Sequence, residues 1–198
     1  MKKIIRYTII TSIVFAFFSC NNKEKKGKEN EFIADTSNYY PINFFLEEDI
    51  LDIKHHNYKI YKTFSIGKSL ADSIAIDTTE FNSLANDFLQ KDITKASVRR
   101  FYKESVFRSL ATNTITFNYT SINPDLDVRS IDANVTEDDN KLKRVDMRVI
   151  SSKNDSTYTQ NYCWLPGTKF YITKYAEGKD KKGIATTTTI TWHKQSNL

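Results

Sequence analysis

The sequence predicts an α+β fold in which two amphipathic helices pack on one face of a curved, mainly antiparallel sheet. Two segments in the first half carry apolar residues at helical spacing, whereas the chain from Val98 onward alternates apolar and polar residues almost throughout. Turn residues recur about every 10 to 14 positions in that second half. Strands joined by such short links must be antiparallel. The predicted sheet combines a hairpin with a meander of about six strands.

The first helix and the hairpin come at the start of this pattern. Proline is favoured in a first helical turn, so the helix is predicted to begin near Pro41 and to end at residues 55–57. Its apolar stripe follows the spacing of one helical face: Ile42, Phe45, Leu46, Ile50 and Ile53. Residues 58–66 then alternate, Gly67-Lys68 forms a turn, and residues 70–76 are predicted to return as the second strand of the hairpin.

The second helix has a clear start signal. Asp77-Thr78-Thr79-Glu80 resembles a capping box, in which an acceptor side chain stands three residues before a glutamate. The apolar residues that follow have the spacing of a helix face: Phe81, Leu84, Ala85, Phe88 and Leu89. A capped helix is therefore predicted directly after the hairpin.

The meander is predicted from alternation and from turn residues. Asn123-Pro124-Asp125, residues 137–140 and residues 153–155 are predicted turns. A phase slip near Arg129-Ser130 indicates a β-bulge. The predicted strands cover residues 101–110, 115–119, 128–135, 145–149, 158–164, 170–172 and 184–192.

One face of this sheet is predicted to be apolar and the other to be rich in threonine and tyrosine. Eight strands at about 4.8 Å spacing make a sheet about 35 Å wide, whereas two helices cover about 20 Å. If the hairpin joins the sheet, either the sheet curls and the apolar face becomes core, or a groove remains that could hold a ligand. The ligand is predicted to lie near five aromatic residues of the later strands: Tyr158, Tyr162, Trp164, Phe170 and Trp192.

The N-terminus has the three parts of a secretory signal. A basic head precedes an apolar run from Tyr7 to Phe18, and the small residue Ser19 stands before Cys20. With Phe17-Phe18-Ser19-Cys20 in the position of a lipobox, this segment resembles a bacterial lipoprotein signal. The apolar run is too short for a membrane-spanning helix, which needs about 20 residues. The resemblance implies a signal peptide over 1–19, a lipidated Cys20 with a flexible tether over 20–35, and a single domain over 36–198.

The resemblance also implies a location. Bacterial lipoproteins carry two or three acyl chains, which anchor a protein stably in a membrane. Asn21 follows Cys20, where an aspartate would favour retention at the inner membrane, so the outer membrane facing the periplasm is expected. Residues 21–35 bury almost nothing, which predicts a protease-sensitive tether.

Composition argues against several classes of function. The charge of +5 becomes 26 basic against 24 acidic residues once Lys2, Lys3 and Arg6 leave with the signal, so no nucleic-acid partner is expected. None of the five glycines has the spacing of a phosphate-binding loop, and no cofactor is expected. His55 and His56 diverge on a helix, and Cys163 sits in a strand-like stretch, so no metal site and no catalytic residue are assigned.

These observations predict a non-catalytic domain of the cell envelope that binds an apolar small molecule. The alternative is a protein–protein interaction module, an inhibitor or an assembly accessory, whose partner is an envelope protein bound at the threonine- and tyrosine-rich sheet face. An enzyme is the third possibility, and it requires a cleft with two close carboxylates or with a histidine pair and a carboxylate.

The mature protein is expected to begin at Cys20 and to carry acyl chains there, because this cysteine follows the only cleavage position with a suitable small residue. Mass spectrometry of the natively expressed protein measures both features. An unmodified Cys20, or a mature start at another residue, would contradict the lipoprotein interpretation.

Overall fold

The computed structural model describes residues 39–56, 58–70, 72–153, 155–178 and 181–193. The predicted signal peptide, Cys20 and the tether lie outside the described residues. The elements in chain order are α1 (Ile42–His55), β1 (Lys59–Ile66), β2 (Ser69–Leu70), β3 (Ile74–Ile76), α2 (Thr78–Leu89), α3 (Ala96–Arg99), β4 (Tyr102–Ser109), β5 (Thr114–Ser121), β6 (Val128–Thr136), β7 (Leu142–Lys153), β8 (Ser156–Leu165), β9 (Lys169–Gly178), β10 (Lys181–Lys182) and β11 (Thr186–His193).

Strands dominate this α+β fold, and they form one open antiparallel sheet. Nine of them follow the order β2-β1-β11-β9-β8-β7-β6-β5-β4, while β10 pairs with β9 and β3 pairs with β1. Every pairing is antiparallel. The antiparallel meander predicted from the short links is thus confirmed.

The hairpin joins the same sheet as the meander. Strand β1 pairs along its whole length with β11, from Lys59 opposite His193 to Ile66 opposite Thr186. This pairing brings the first described strand beside the last one, and it places Ile60 opposite Trp192. The predicted width of the sheet assumed that the hairpin joins the meander, and the hairpin does so.

The returning strand of the hairpin differs from the prediction, because it is divided into β2 and β3. Ser69 pairs with Ile66, whereas Ile76 pairs with Ile60, so the register shifts by one residue between the two pieces. Asp72 and Ser73, which are polar and exposed, fall in the interruption. The extra residue prevents one continuous ladder along β1.

Two further features concern the meander. The structure contains a bulge between Val128 and Ser130, as the phase slip predicted, and a second irregularity at Asn134/Val135 that the sequence did not indicate.

The short helix α3 was also not predicted, because a four-residue turn is too brief to show a helical period. Strand β4 consequently begins only at Tyr102.

Both predicted helices form where expected. Helix α1 buries Ile42, Leu46, Ile50 and Ile53 and contacts α2 and β7. Helix α2 is capped by Asp77, whose side-chain oxygen accepts a hydrogen bond of 2.8 Å from the Glu80 backbone N–H. Within the described ranges, no helix is long and apolar enough to cross a membrane.

The cap of α2 provides a test of the helix start. Asp77→Ala is expected to lower the free energy of unfolding by about 1 kcal/mol, because one N–H of the first turn loses its acceptor. Urea denaturation followed by circular dichroism measures the change. Asp72→Ala, at an exposed position outside any helix, serves as the matched control and should change stability by less than about 0.5 kcal/mol. Equal stability of the two variants would contradict a capping role for Asp77.

Candidate functional site

Three of the five aromatic residues singled out from the sequence form a buried cluster. Trp164, Phe170 and Trp192 come from three adjacent strands, β8, β9 and β11, and each is 0–2% exposed. Their ring centroids are 4.8 Å apart for Trp164–Phe170, 5.8 Å for Trp164–Trp192 and 6.1 Å for Phe170–Trp192. Such distances are typical of aromatic packing in a core.

Two phenylalanines of α2 pack against the rings of this cluster. Phe81 lies 5.9 Å from Phe170 and 5.7 Å from Trp192 between centroids. Phe88 meets Trp164 edge-on at 5.0 Å and Phe170 at 5.1 Å. The space beside the three strand residues is therefore occupied by side chains of the protein itself.

A carboxylate of α1 holds the polar edge of this cluster. Trp164 donates its indole N–H to Asp49 Oδ2 at 2.7 Å, and the Gly167 backbone N–H donates to both Asp49 oxygens at 3.0 and 3.1 Å. Gly167 has φ of +72°, a conformation that glycine adopts without strain. Burial raises the pKa of Asp49, while the hydrogen bonds from Trp164 and Gly167 oppose that rise.

Sequence reasoning missed Asp49, although the sequence contains a signal for it. Asp49 stands four residues after Phe45 and four before Ile53, so it lies on the apolar stripe of α1. A carboxylate on an apolar face needs hydrogen-bond partners, since its burial without them is costly. The indole N–H of a buried tryptophan is one such partner.

The other two predicted residues lie away from the cluster centre. Tyr162 is buried next to Phe88, with ring centroids 5.1 Å apart, but its hydroxyl reaches Asp87 Oδ2 at 3.1 Å and Gln160 Oε1 at 2.7 Å. Tyr158 is 40% exposed and lines a separate cleft of about 330 Å³. The structure thus brings four of the five together and leaves Tyr158 at the surface.

The Tyr162 hydroxyl stands at the border of a groove of about 630 Å³. Side chains of β7, β8 and β9 form the floor of this groove. Its walls come from the end of α2, the segment through α3, the start of β4 and the start of β6. Apolar lining residues are Ile93, Val98, Leu126, Val128 and Val149, beside the rings of Tyr102 and Tyr162. Polar and charged lining residues are Asp87, Gln90, Lys91, Asp92, Lys95, Asp127, Ser151, Gln160 and Lys174.

The charges of the groove are partly paired. Lys91 Nζ lies 3.1 Å from Asp87 Oδ1 and 5.1 Å from the centroid of the Tyr162 ring. By contrast, Lys95 and Lys174 have no carboxylate within 4.0 Å among the described residues. Two ammonium groups are therefore available to an anionic group that enters the groove, although Asp92 and Asp127 line the same groove and also have no ion-pair partner among the described residues.

The phenols of the groove are poor acids. Burial raises the pKa of Tyr102 to about 12, and its hydroxyl donates to the Val128 carbonyl at 2.8 Å. Burial, reinforced by the charge of Asp87, raises the pKa of Tyr162 further above its usual range. Both phenols therefore stay protonated near neutral pH and act there as hydrogen-bonding groups.

Cys163 lies on the opposite face of the sheet, next to Tyr171 in the neighbouring strand. It is 1% exposed, as expected for a structural cysteine. Burial raises the pKa of its thiol to about 11, although a hydrogen bond with Tyr171 partly opposes the rise. A thiol with so high a pKa contains little thiolate near neutral pH and is a weak nucleophile.

Two further observations concern metal binding and similarity to known proteins. Among the described side chains, no group of three or more His, Cys, Asp or Glu residues is close enough together to hold a metal ion. Comparison of the chain with protein-family models, with curated proteins and with solved structures finds no match in any of the three. No catalytic family is identified for the chain, and the site must be interpreted from its own chemistry.

Trp164 and Tyr158 differ in burial, so their replacement by alanine should lower stability by different amounts. Trp164→Ala is expected to lower the free energy of unfolding by about 3–5 kcal/mol, because it leaves a cavity and removes the hydrogen bond to Asp49. Tyr158→Ala, the matched control on the same strand, should cost less than about 1 kcal/mol, because its ring is partly in solvent. Equilibrium denaturation of both variants measures the difference. Similar stabilities would contradict the assignment of Trp164 to the core.

Proposed function

We propose that this protein is a lipid-anchored envelope domain that binds a small amphipathic ligand without catalysis, in the groove beside Tyr162. The observation that carries the proposal is the lining of that groove, which combines a row of apolar side chains with the ammonium groups of Lys95 and Lys174. Its volume of about 630 Å³ lies within the range of small-molecule sites, about 300–1,000 Å³.

The proposed ligand has an apolar body and an anionic end. The apolar body would lie on Val149 of the floor and on Leu126 and Val98 of the walls, where burial of carbon surface stabilises it by about 25 cal/mol per Å². The anionic end would accept hydrogen bonds from Lys95 or Lys174, which have no carboxylate within 4.0 Å among the described residues.

The packing of the core argues for the groove over the centre of the aromatic cluster. An apolar ligand beside Trp164 or Phe170 would have to displace Phe88, whose ring lies about 5 Å from both. Displacement would cost the burial of that phenylalanine, about 1.5–3 kcal/mol, before any ligand contact forms. The groove exists without such displacement, and Tyr162 is the residue shared by the cluster and the groove.

A binding role suits the protonation states of the groove. The protonated phenols of Tyr102 and Tyr162 offer hydrogen bonds rather than a base, and the Asp87 carboxylate is paired with Lys91. Catalysis by acid and base requires a group whose pKa lies near the working pH. These features favour retention of a ligand over its conversion.

The proposal includes the anchor and the arrangement around the sheet. Acyl chains at Cys20 would fix the protein to the cell envelope, with the outer membrane facing the periplasm as the expected location. The two helices would together cover part of one face of a curved sheet, a view supported by the contacts of Phe81 and Phe88 with the strands. The groove would then lie where this cover ends.

The alternative, an interaction module, is favoured by one observation on the other face of the sheet. Tyr171 and Tyr175 are half-buried there, in rows that also contain Thr159, Thr173 and Thr187. A surface of aromatic and hydroxyl side chains suits a protein partner, since tyrosine is enriched at interfaces. This candidate predicts that the intact groove binds no small amphipathic probe.

A fluorescent fatty acid, 11-(dansylamino)undecanoic acid, tests the proposed function. The full-length protein in non-ionic detergent is expected to increase the dansyl emission saturably. Lys174→Gln removes one ammonium group and keeps a similar chain length, so it should weaken the affinity about tenfold, the effect of losing one charge-assisted hydrogen bond.

The controls separate the groove from other surfaces. Lys143→Gln makes the same change at an exposed position on β7 outside the groove and should leave the affinity unchanged. A parent protein that binds no probe would overturn the proposal and favour the interaction module. Equal affinities of the parent and of a variant that carries both Lys95→Gln and Lys174→Gln would show that the probe binds outside the groove.

A further inference from the structure

The two edges of the sheet differ in how they are protected. At one edge, β1 is covered by two short pieces, β2 of two residues and β3 of three. At the other edge, β4 extends over eight residues and pairs only with β5 among the described strands. Natural proteins shorten or cover their edge strands, because a long free edge can pair with another chain. Strand β4 is therefore the exposed edge.

The backbone groups that point outward from β4 can be identified. The Phe101 carbonyl accepts a hydrogen bond of 2.8 Å from the Ile122 N–H, so odd-numbered residues of β4 face β5. Even-numbered residues then point their N–H and C=O groups outward. The Tyr102 carbonyl is already engaged by the Tyr39 hydroxyl at 2.9 Å. Residues 104, 106 and 108 therefore carry the outward-facing groups that remain.

Exposed apolar side chains accompany this free edge. Val106 is 53% exposed on the face that carries Phe117, and Phe107 is 62% exposed on the opposite face. Leu110, directly after the strand, is 79% exposed. Apolar surface on both faces of one edge strand is what a second strand would cover.

We propose that β4 pairs antiparallel with β4 of a second copy of this chain, so that Val106 lies opposite Val106 of the other copy. In this register Glu104 lies opposite Arg108, and symmetry produces that pair twice. Residues 104, 106 and 108 of each copy all face outward, and the pairing satisfies their backbone groups with six hydrogen bonds. The two-fold axis is perpendicular to the sheet and passes midway between the two Val106 residues.

Neighbouring registers are less favourable. Sliding by two residues in one direction places Arg108 opposite Tyr102, whose carbonyl is engaged by Tyr39. Sliding by two in the other direction places Arg108 opposite Val106 and separates the charges. A slip of one residue would bring inward-facing backbone groups to the interface. The proposed register alone uses every free outward group and also joins opposite charges.

The charges of β4 complement a second copy. Glu104 and Arg108 are on the same face of the strand, and opposite charges directly across a ladder are stabilising. Arg108 is held at the surface by Glu137, with Nε 2.8 Å from Oε2, and it keeps further donors for a second carboxylate. On the other face Lys103 lies opposite Ser109, so no like charges meet. A strand of another protein would have to present the same order of charges to pair equally well.

A disulfide test examines the register directly. In the full-length chain in detergent, Val106→Cys is expected to form a covalent dimer under mild oxidation. Residues of a hydrogen-bonded pair have Cα atoms about 5.5 Å apart, within the range of a disulfide. Phe107→Cys is the matched control. In the proposed register Phe107 lies opposite Ser105 of the other copy, and the two Phe107 positions are diagonal neighbours about 7–8 Å apart. The Phe107→Cys variant should therefore remain mostly monomeric.

Sedimentation equilibrium of the same protein measures the affinity of the two copies for each other. Val106→Pro removes an outward N–H and leaves the β4–β5 ladder intact, so it should weaken dimerisation at least tenfold, whereas Val106→Thr should change it little. Glu104→Arg and Arg108→Glu should each weaken the dimer, and the double exchange should restore it. A monomeric parent at about 1 mM would overturn the proposal. A dimer whose Val106→Cys variant does not cross-link, or in which Val106→Pro has no effect, would also overturn it.

Discussion

The structure depends on the hydrogen bond between the Trp164 indole and the Asp49 carboxylate. This bond joins α1 to β8 across 115 positions of sequence, and the same carboxylate also accepts from Gly167 at the turn into β9. Without a partner, the buried indole N–H and the partly buried carboxylate would each cost free energy. With both satisfied, Trp164 can lie flat against Phe170 and receive the edge of Phe88. One polar contact thus allows the aromatic cluster to be buried.

The same strands explain why the groove lies where it does. Along the β8–β9 ladder the pairs on the core face change from Trp164 opposite Phe170 to Gln160 opposite Lys174. Phe88 of α2 contacts both rings of the apolar pair, whereas the polar pair lines the groove. Tyr162 stands between them, with its ring in the core and its hydroxyl at the groove. A helix laid over Lys174 would have to bury its ammonium group, so the change in side-chain polarity favours an uncovered floor.

Much of the fold followed from local sequence, whereas the site did not. The helix stripes, the Asp77 cap and the bulge before Ser130 are short-range signals, and the structure contains all three. Alternation also placed Trp164 and Tyr158 correctly on one face. However, alternation carries no information about which part of that face is packed in the core, so it did not predict that Tyr158 would be partly exposed. Asp49 could have been identified as a carboxylate within an apolar stripe, but its partner 115 positions away is a tertiary contact.

The two edges of the open sheet are built differently. The register shift that divides the hairpin leaves only short pieces outside β1, and short pieces offer few backbone groups to another strand. At β4 the protection is of another kind, since the exposed side chains of Lys103 and Arg108 and the half-buried Glu104 place charges along this edge. Such charges oppose pairing with most strands, because an unmatched charge beside a ladder must lose water without gaining a partner. The same charges become an element of recognition for a strand that presents the complementary order.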